Sequence, residues 1–172
     1  MGAPFGGRRR PAREWTPVEV RTYLSRLLAR RSWSRQELLD RLRDRGVPLD
    51  QVDSAIAPLE ALGYLDDARY AEGWAQARAE RGLGARRIVE ELRQKGVERL
   101  LAERTVRESF RDVSEATRAR EAARRRLPSL LARGEAQAPA RLTSFLLRRG
   151  FPPDVVSGVV RSLFSAQLSE AP

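Results

Sequence analysis

Three glycines recur along this chain with the same pattern of neighbours, and this repetition constrains the fold more than any other feature. Gly46, Gly96 and Gly150 stand 50 and 54 residues apart. Each has an aliphatic residue eight and four positions before it, a cation immediately before it and a hydrophobic residue immediately after it. Positions four apart share one helix face. Glycine suits a left-handed helix end, and a cation suits the negative end of the helix dipole. The pattern therefore predicts a helix ending at each glycine.

Start and stop signals predict three helices around each of these glycines. Capping boxes at Thr16 to Glu19 and Ser34 to Glu37 open the first two helices, which run to about Arg31 and to Gly46. A third helix starts at Asp50 or Asp53 and ends near residue 63. Further helices are predicted over about 66–81, 85–96, 98–110 and 112–131, then to 150 after a loop over 134–139, and over 153–166.

The predicted fold class is all-α, an elongated array of three tandem three-helix-bundle repeats, because no stretch alternates convincingly with period two. We expect a disordered basic arm over 1–15 and a flexible tail over 167–172. The repeats would occupy 16–63, 64–110 and 111–166. Such an array offers one long surface to a long partner.

The charge of the chain favours an acidic partner. It carries 33 basic and 23 acidic residues, a net charge of +10, with +1 over 64–110 and +5 over 111–172. Because Lys95 is the only lysine among the 33 basic residues, arginine is preferred along the whole chain, and no single arginine counts as evidence of a binding site. Cysteine and histidine are absent, which removes thiol and imidazole chemistry and the usual zinc ligands. We therefore expect no enzyme activity, cofactor or metal.

The residues from 63 to 87 have competing interpretations. In the structural one, Gly63 ends a helix, Tyr64 and Leu65 pack in the joint between repeats, and an aspartate caps the next helix. Arg69 fits an internal ion pair and a partner surface equally well. The string from Gly82 to Gly84 lacks the remainder of a phosphate loop and predicts a tight turn. That turn sets Arg86 and Arg87 at a helix start, on a solvated face or facing an anion.

The basic helix after residue 112 is the second candidate surface. Arg120 and Arg124 share one face, Arg125 and Arg126 follow, and Arg148 extends the patch. The patch is either a solvated face or a contact for DNA phosphate or an acidic groove. The three tryptophans are candidates either for base stacking or for the core, and core packing is the better interpretation for Trp74, four residues after Tyr70.

One composite string resembles a known family. Gly63-Tyr64-Leu65-Asp66-Asp67-Ala68-Arg69-Tyr70 is followed by Arg78, by Gly82 and Gly84, and by a basic helix that closes on Lys95-Gly96. This resembles the signature of the RecX family. The resemblance implies a cytoplasmic protein of tandem three-helix repeats that lies along the RecA–DNA filament. It also implies inhibition of the recombinase's ATPase and strand exchange, and so a role in recombination, DNA repair and the SOS response.

The resemblance and the charge map together give the candidate contacts. We expect a monomer that binds the RecA filament and single- or double-stranded DNA, and no membrane partner, since no apolar run approaches the ~20 residues of a transmembrane helix. A general basic DNA-binding accessory protein and a scaffold for an unrelated acidic protein stay as alternatives. The candidate contact residues are Arg69, Arg78, Arg86, Arg87, Lys95, Arg120, Arg124, Arg125, Arg126 and Arg148.

Overall fold

The computed structural model describes residues 14–132 and 134–169, in which every regular element is a helix and there is no strand. The expected arm over 1–15 lies almost entirely outside the described residues, as does the end of the expected tail. The chain divides into two compact units, one up to Asp66 and one from Asp67 onward.

The first unit is a three-helix bundle of α1 (Pro17–Leu28), α2 (Arg35–Asp44) and α3 (Leu49–Ala61). Both predicted capping boxes are present, with Thr16 and Ser34 as the capping residues. The prediction that α3 starts at Asp50 or Asp53 is wrong. The helix starts directly after Pro48, whose ring fixes φ at −57° and whose ψ of 142° lies outside the helical range.

The core of the first unit follows the predicted pattern. Leu38, Leu42 and Ile56 are fully buried and pack with residues of α1. Leu65 is also buried in this core, whereas Tyr64 is 68% exposed. The expectation that Tyr64 packs in the joint with Leu65 is therefore wrong, because most of the Tyr64 side chain is exposed to solvent.

The second unit contains two further three-helix bundles. The first comprises α4 (Asp67–Glu80), α5 (Ala85–Gln94) and α6 (Arg99–Ser109). The second comprises α7 (Glu115–Leu131), α8 (Ala138–Arg148) and α9 (Pro153–Ser169), with a short 3-10 helix over Glu135–Gln137 inside the predicted loop. The turn predicted over residues 82–84 is confirmed, because Gly84 is the residue directly before α5.

Each bundle uses its recurrent glycine as predicted. Gly46, Gly96 and Gly150 have φ values of 71°, 78° and 89°, in the left-handed region that favours glycine. The aliphatic positions before them, from Leu38 and Leu42 to Leu142 and Leu146, are fully buried. Ten residues after the glycine, Ile56 and Val106 are buried in the first two bundles. In the last bundle Val160 at this position is only partly buried, and Val159 takes the core position.

All three tryptophans are used within the bundles. The indole N–H of Trp15 donates to the carbonyl of Arg45 at 3.1 Å, and that of Trp33 donates to the carbonyl of Leu27 at 2.9 Å. Trp74 stacks on Tyr70 with ring centroids 5.8 Å apart, which confirms its predicted packing role. These contacts favour packing over base stacking.

A candidate partner-binding cleft

The two bundles of the second unit meet backbone to backbone. The N–H of Gly84 donates to the carbonyl of Arg149 at 2.8 Å. A β-carbon on Gly84 would lie 2.7 Å from backbone atoms of Gly150 and Phe151, and one on Gly150 would lie 2.5 Å from Arg87. Two positions without side chains therefore allow the start of α5 to lie against the end of α8.

Arg149 makes a second contact between the same two bundles. Its guanidinium donates to the carbonyls of Arg81 and Gly82, just past the end of α4, and lies 4.6 Å from the ring centroid of Phe145. Burial lowers the pKa of Arg149, and the neighbouring charges of Arg126 and Arg125 lower it further. A cation at these carbonyls satisfies acceptors at the negative end of α4.

Glu115 makes the third contact of the joint. Its carboxylate, at the start of α7, accepts the backbone N–H of Ala85 at 3.1 Å, the first residue of α5. Burial raises the pKa of Glu115, and the nearby carboxylate of Asp154 raises it further. The hydrogen bond from Ala85 and the charge of Arg86 act in the opposite direction, but the pKa stays above its ordinary value. Backbone contact, a cationic cap and an anionic cap thus hold the two bundles together.

A cleft of about 1250 Å³ opens where these bundles meet. Its apolar lining comes from Val89, Val106, Phe110, Leu147 and Phe151. Six arginines line it as well: Arg86, Arg87, Arg104, Arg107, Arg111 and Arg148. Four glutamates are interspersed among them: Glu90, Glu103, Glu108 and Glu115.

Most of the cleft arginines are available to a partner. Arg87 pairs with Glu91 at 3.1 Å. The other five form no ion pair with any carboxylate of the described residues, and all five are exposed. Two of the glutamates are already engaged, Glu90 by Arg93 and Glu103 by Arg99. The surface of the cleft therefore carries unneutralised positive charge.

A second, smaller groove of about 680 Å³ adjoins the cleft through Arg148, which lines both. Its lining residues are Arg126, Leu130, Gln137, Ala140, Arg141, Ser144, Phe145 and Arg148. The guanidinium of Arg126 lies 5.7 Å from the ring centroid of Phe145, and its buried Nε has no hydrogen-bond partner. The lining of this groove is cationic and contains no carboxylate among the described side chains.

The structure divides the predicted basic patch of α7. Consecutive helical residues point about 100° apart, so Arg124, Arg125 and Arg126 face in different directions. Arg126 lies in the groove, Arg125 is exposed and 3.8 Å from Glu121, and Arg124 is exposed outside both cavities. Arg126 is therefore the one residue of these three that lines either cavity, and the contact role expected for all three stays a prediction. Arg120 is partly buried and lines neither cavity.

The candidate residues of α4, of α5 and of the turn after α5 lie in three separate places. Arg86 and Arg87 lie in the cleft with Arg148. Arg78 instead forms a 2.7 Å ion pair with Glu91 and lies 4.2 Å from the ring centroid of Trp74, where the Nζ of Lys95 also lies at 5.4 Å. Arg69 is exposed on α4 and lines neither cavity.

Sequence reasoning missed Arg104, Arg107 and Arg111 in the cleft, and Arg141 in the groove. The first three follow one another at spacings of three and four, which puts them on one side of α6 and the turn after it. That spacing is a usable signal. Leu147 was missed as well, although the register that places Leu146 four residues before Gly150 on the core face leaves Leu147 outside that face.

The chain matches known proteins over most of its length. Three family models match in order: RecX first three-helix domain over 21–59, second over 66–106 and third over 114–160. A regulatory protein RecX of Pseudomonas savastanoi pv. phaseolicola is 39% identical over 141 residues, covering 82% of this chain and 89% of the relative. One from Thermobifida fusca is 34% identical, covering 95% and 88%.

Solved structures agree with this fold. RecX from Lactobacillus salivarius superimposes with a TM-score of 0.71 at 18% identity, covering 86% of this chain and 96% of that one. Within the described residues, no helix is both long and apolar enough to cross a bilayer. From three consecutive domain matches and relatives above 30% identity, the chain belongs to the RecX family of regulatory proteins.

Proposed function

We propose that this chain binds the RecA–DNA filament and inhibits the recombinase's ATPase and strand exchange, and so modulates recombination and DNA repair. Family membership supports a regulatory role. In this proposal the protein acts in the cytoplasm as a monomer and catalyses no reaction itself. The observation that carries the proposal is the pair of cavities that meet at Arg148, because five cleft arginines there form no ion pair with any described carboxylate.

The proposed mechanism is competitive and electrostatic. Tandem domains lying in the filament's helical groove would contact more than one RecA subunit, and linked contacts raise affinity well beyond that of each contact alone. A protein that bridges neighbouring subunits opposes the movement between them that ATP turnover requires. The groove arginines would add contacts to DNA phosphate, which are strong because guanidinium and phosphate match in geometry.

A general DNA-binding accessory protein is the second candidate. The cationic lining of the groove around Arg126 and the net charge of +10 favour it. This candidate predicts equal action on any ATPase or polymerase that uses the same DNA. The first candidate predicts an effect that depends on the presence of RecA.

The test is single-stranded-DNA-dependent ATP hydrolysis by the cognate RecA, with this protein titrated from well below to equal stoichiometry. Inhibition at substoichiometric amounts that excess DNA does not relieve supports direct action on the filament. No inhibition, or inhibition that excess DNA abolishes, contradicts the proposal. An unrelated DNA-dependent ATPase on the same DNA serves as the control for nonspecific coating.

A further inference from the structure

We infer that the cleft between the last two bundles receives an acidic, amphipathic peptide segment of the protein partner, and not nucleic acid. This inference rests on the proposed function and names the chemistry of the contact. The segment would place an apolar side chain against Leu147 and carboxylates against Arg104, Arg107 and Arg111.

The apolar lining is the first observation that points to a peptide. Leu147 is 43% exposed, while Leu146 beside it is fully buried in the bundle core. Leu147 is not part of that core, and it lines the cleft together with partly buried Phe110 and Val89. An apolar anchor covered by a partner side chain is the usual centre of a protein interface. The phosphate groups of a nucleic acid, which would pair with the cleft arginines, cannot cover an apolar side chain.

The mixture of charges is the second observation. Arg104, Arg107 and Arg111 form no ion pair with any described carboxylate, but three glutamates share the same lining: Glu108, and Glu90 and Glu103 with their arginine partners. A nucleic-acid backbone carries a negative charge at every residue, so it would meet these carboxylates at close range. A peptide carries carboxylates at separate positions, with amides and apolar groups between them, and can align each with a complementary group.

The size and rigidity of the cleft are the third observation. Sites for small ligands enclose about 300–1,000 Å³, and this open cleft of about 1250 Å³ exceeds that range. Its two walls are held by the contacts of Gly84 with Arg149 and Gly150. A preformed cleft loses little conformational freedom on binding, which favours docking of a short helix by a few anchors.

The adjoining groove provides a contrast within the same molecule. Among the described residues, no acidic one lines the groove with Arg126 and Arg141, and the groove is about half the size of the cleft. Such a lining suits phosphate. We therefore assign the protein contact to the cleft and the DNA contact to the groove, and Arg148 lines both cavities.

Photocrosslinking tests the inference directly, because the chain has no cysteine. A photoactivatable group attached to Leu147→Cys is irradiated on RecA filaments assembled on single-stranded DNA, with Leu100→Cys as the matched exposed position outside the cleft. Mass spectrometry should find crosslinks from residue 147 in one acidic segment of RecA that contains an apolar residue. Crosslinks to DNA, or none above the Leu100→Cys control, would overturn the inference.

Binding measurements on the two ligands give a second test. Arg107→Glu should weaken binding to the filament by about tenfold or more, the loss typical of a central interface contact. Its binding to naked single-stranded DNA should stay within about twofold of that of Arg161→Glu, which makes the same charge change at an exposed position of α9 outside the cleft. Equal losses on filament and naked DNA would overturn the inference.

The two proposals fail in different ways. A wild-type protein that does not bind RecA filaments contradicts the proposed function, and the cleft inference with it. A wild-type protein that binds and inhibits them, while residue 147 crosslinks to DNA, overturns the inference alone.

Discussion

The backbone of Gly84 lies against that of Gly150, so closely that a β-carbon on Gly84 would lie 2.7 Å from the carbonyl carbon of Gly150. The two residues belong to different bundles, and the hydrogen bond from the Gly84 N–H to the carbonyl of Arg149 runs beside this contact. The joint that forms the cleft therefore depends on two positions without side chains.

Gly84→Ala should destabilise the second unit by about 1–3 kcal/mol, the usual cost of forcing a methyl group into a close contact. The backbone of Gly84, at φ −81° and ψ 162°, suits any residue, so the loss would come from the contact alone. Urea unfolding followed by circular dichroism measures it. Unchanged stability would mean that the two bundles separate at little cost.

Gly73→Ala is the opposite case and serves as the control. Gly73 lies inside α4, and nothing lies within 4 Å of the position that its β-carbon would take. Alanine there should stabilise the protein by about 0.5–1 kcal/mol, because it lowers the entropy lost on helix formation. The same urea titration measures the gain, and a loss at this position would contradict the packing described for α4.

Acid should weaken the cluster around Glu91. Burial raises the pKa of Glu91, but hydrogen bonds from Arg78 and Arg87 outweigh it and leave the pKa below its ordinary value. The stabilisation is therefore complete above the ordinary glutamate range and is lost as pH falls through the lowered pKa. Glu91→Gln should flatten the unfolding free energy below about pH 5. An unchanged pH profile would contradict this assignment.

Glu115 should show the opposite dependence. Because burial raises its pKa, folding favours the protonated form, and the contribution of Glu115 to stability falls as pH rises through the ordinary glutamate range toward the raised value. Glu115→Gln keeps an oxygen acceptor for the Ala85 N–H and removes the charge. We expect it to be at least as stable as the wild type at pH 7. Glu115→Ala, without the acceptor, should lose about 0.5–2 kcal/mol.

Arg126 and Arg124 should differ in their effect on DNA binding. Arg126 lines the cationic groove, and Arg124 is exposed outside it. Arg126→Gln should lower the slope of log affinity for single-stranded DNA against log salt by about 0.7, the value for one lost phosphate contact. Arg124→Gln should leave the slope unchanged. Equal slopes for both variants would show that the groove is not a phosphate contact.

Local signals predicted most of the helices. The capping boxes of Thr16 and Ser34 and the glycines at 46, 96 and 150 mark helix ends through contacts within a few residues. The start of α3 differs from the prediction because Pro48, which makes no side-chain capping bond, precedes the helix in place of a capping aspartate. Such errors concern one turn of helix and leave the fold class unchanged.

The cleft could not be predicted in the same way. Gly84 and Gly150 are 66 residues apart in the sequence, and each has a sufficient local reason to be glycine or a turn residue. Arg149 likewise suits the end of its own helix, while its guanidinium reaches carbonyls near the end of α4. Because turns and helix ends fully explain these residue types, the sequence carries no separate signal for the contact between the two bundles.

The glycine at residue 150 also suggests how such a joint arises in a repeated protein. Its counterpart in the first bundle, Gly46, has the same left-handed backbone and nothing within 4 Å of the position that a β-carbon would take. The helix end thus requires glycine whether or not another bundle lies against it. Every copy of the bundle therefore has a helix end at which the backbone carries no side chain. A neighbouring copy needs only one further glycine, here Gly84, to bring its own backbone into contact with that helix end.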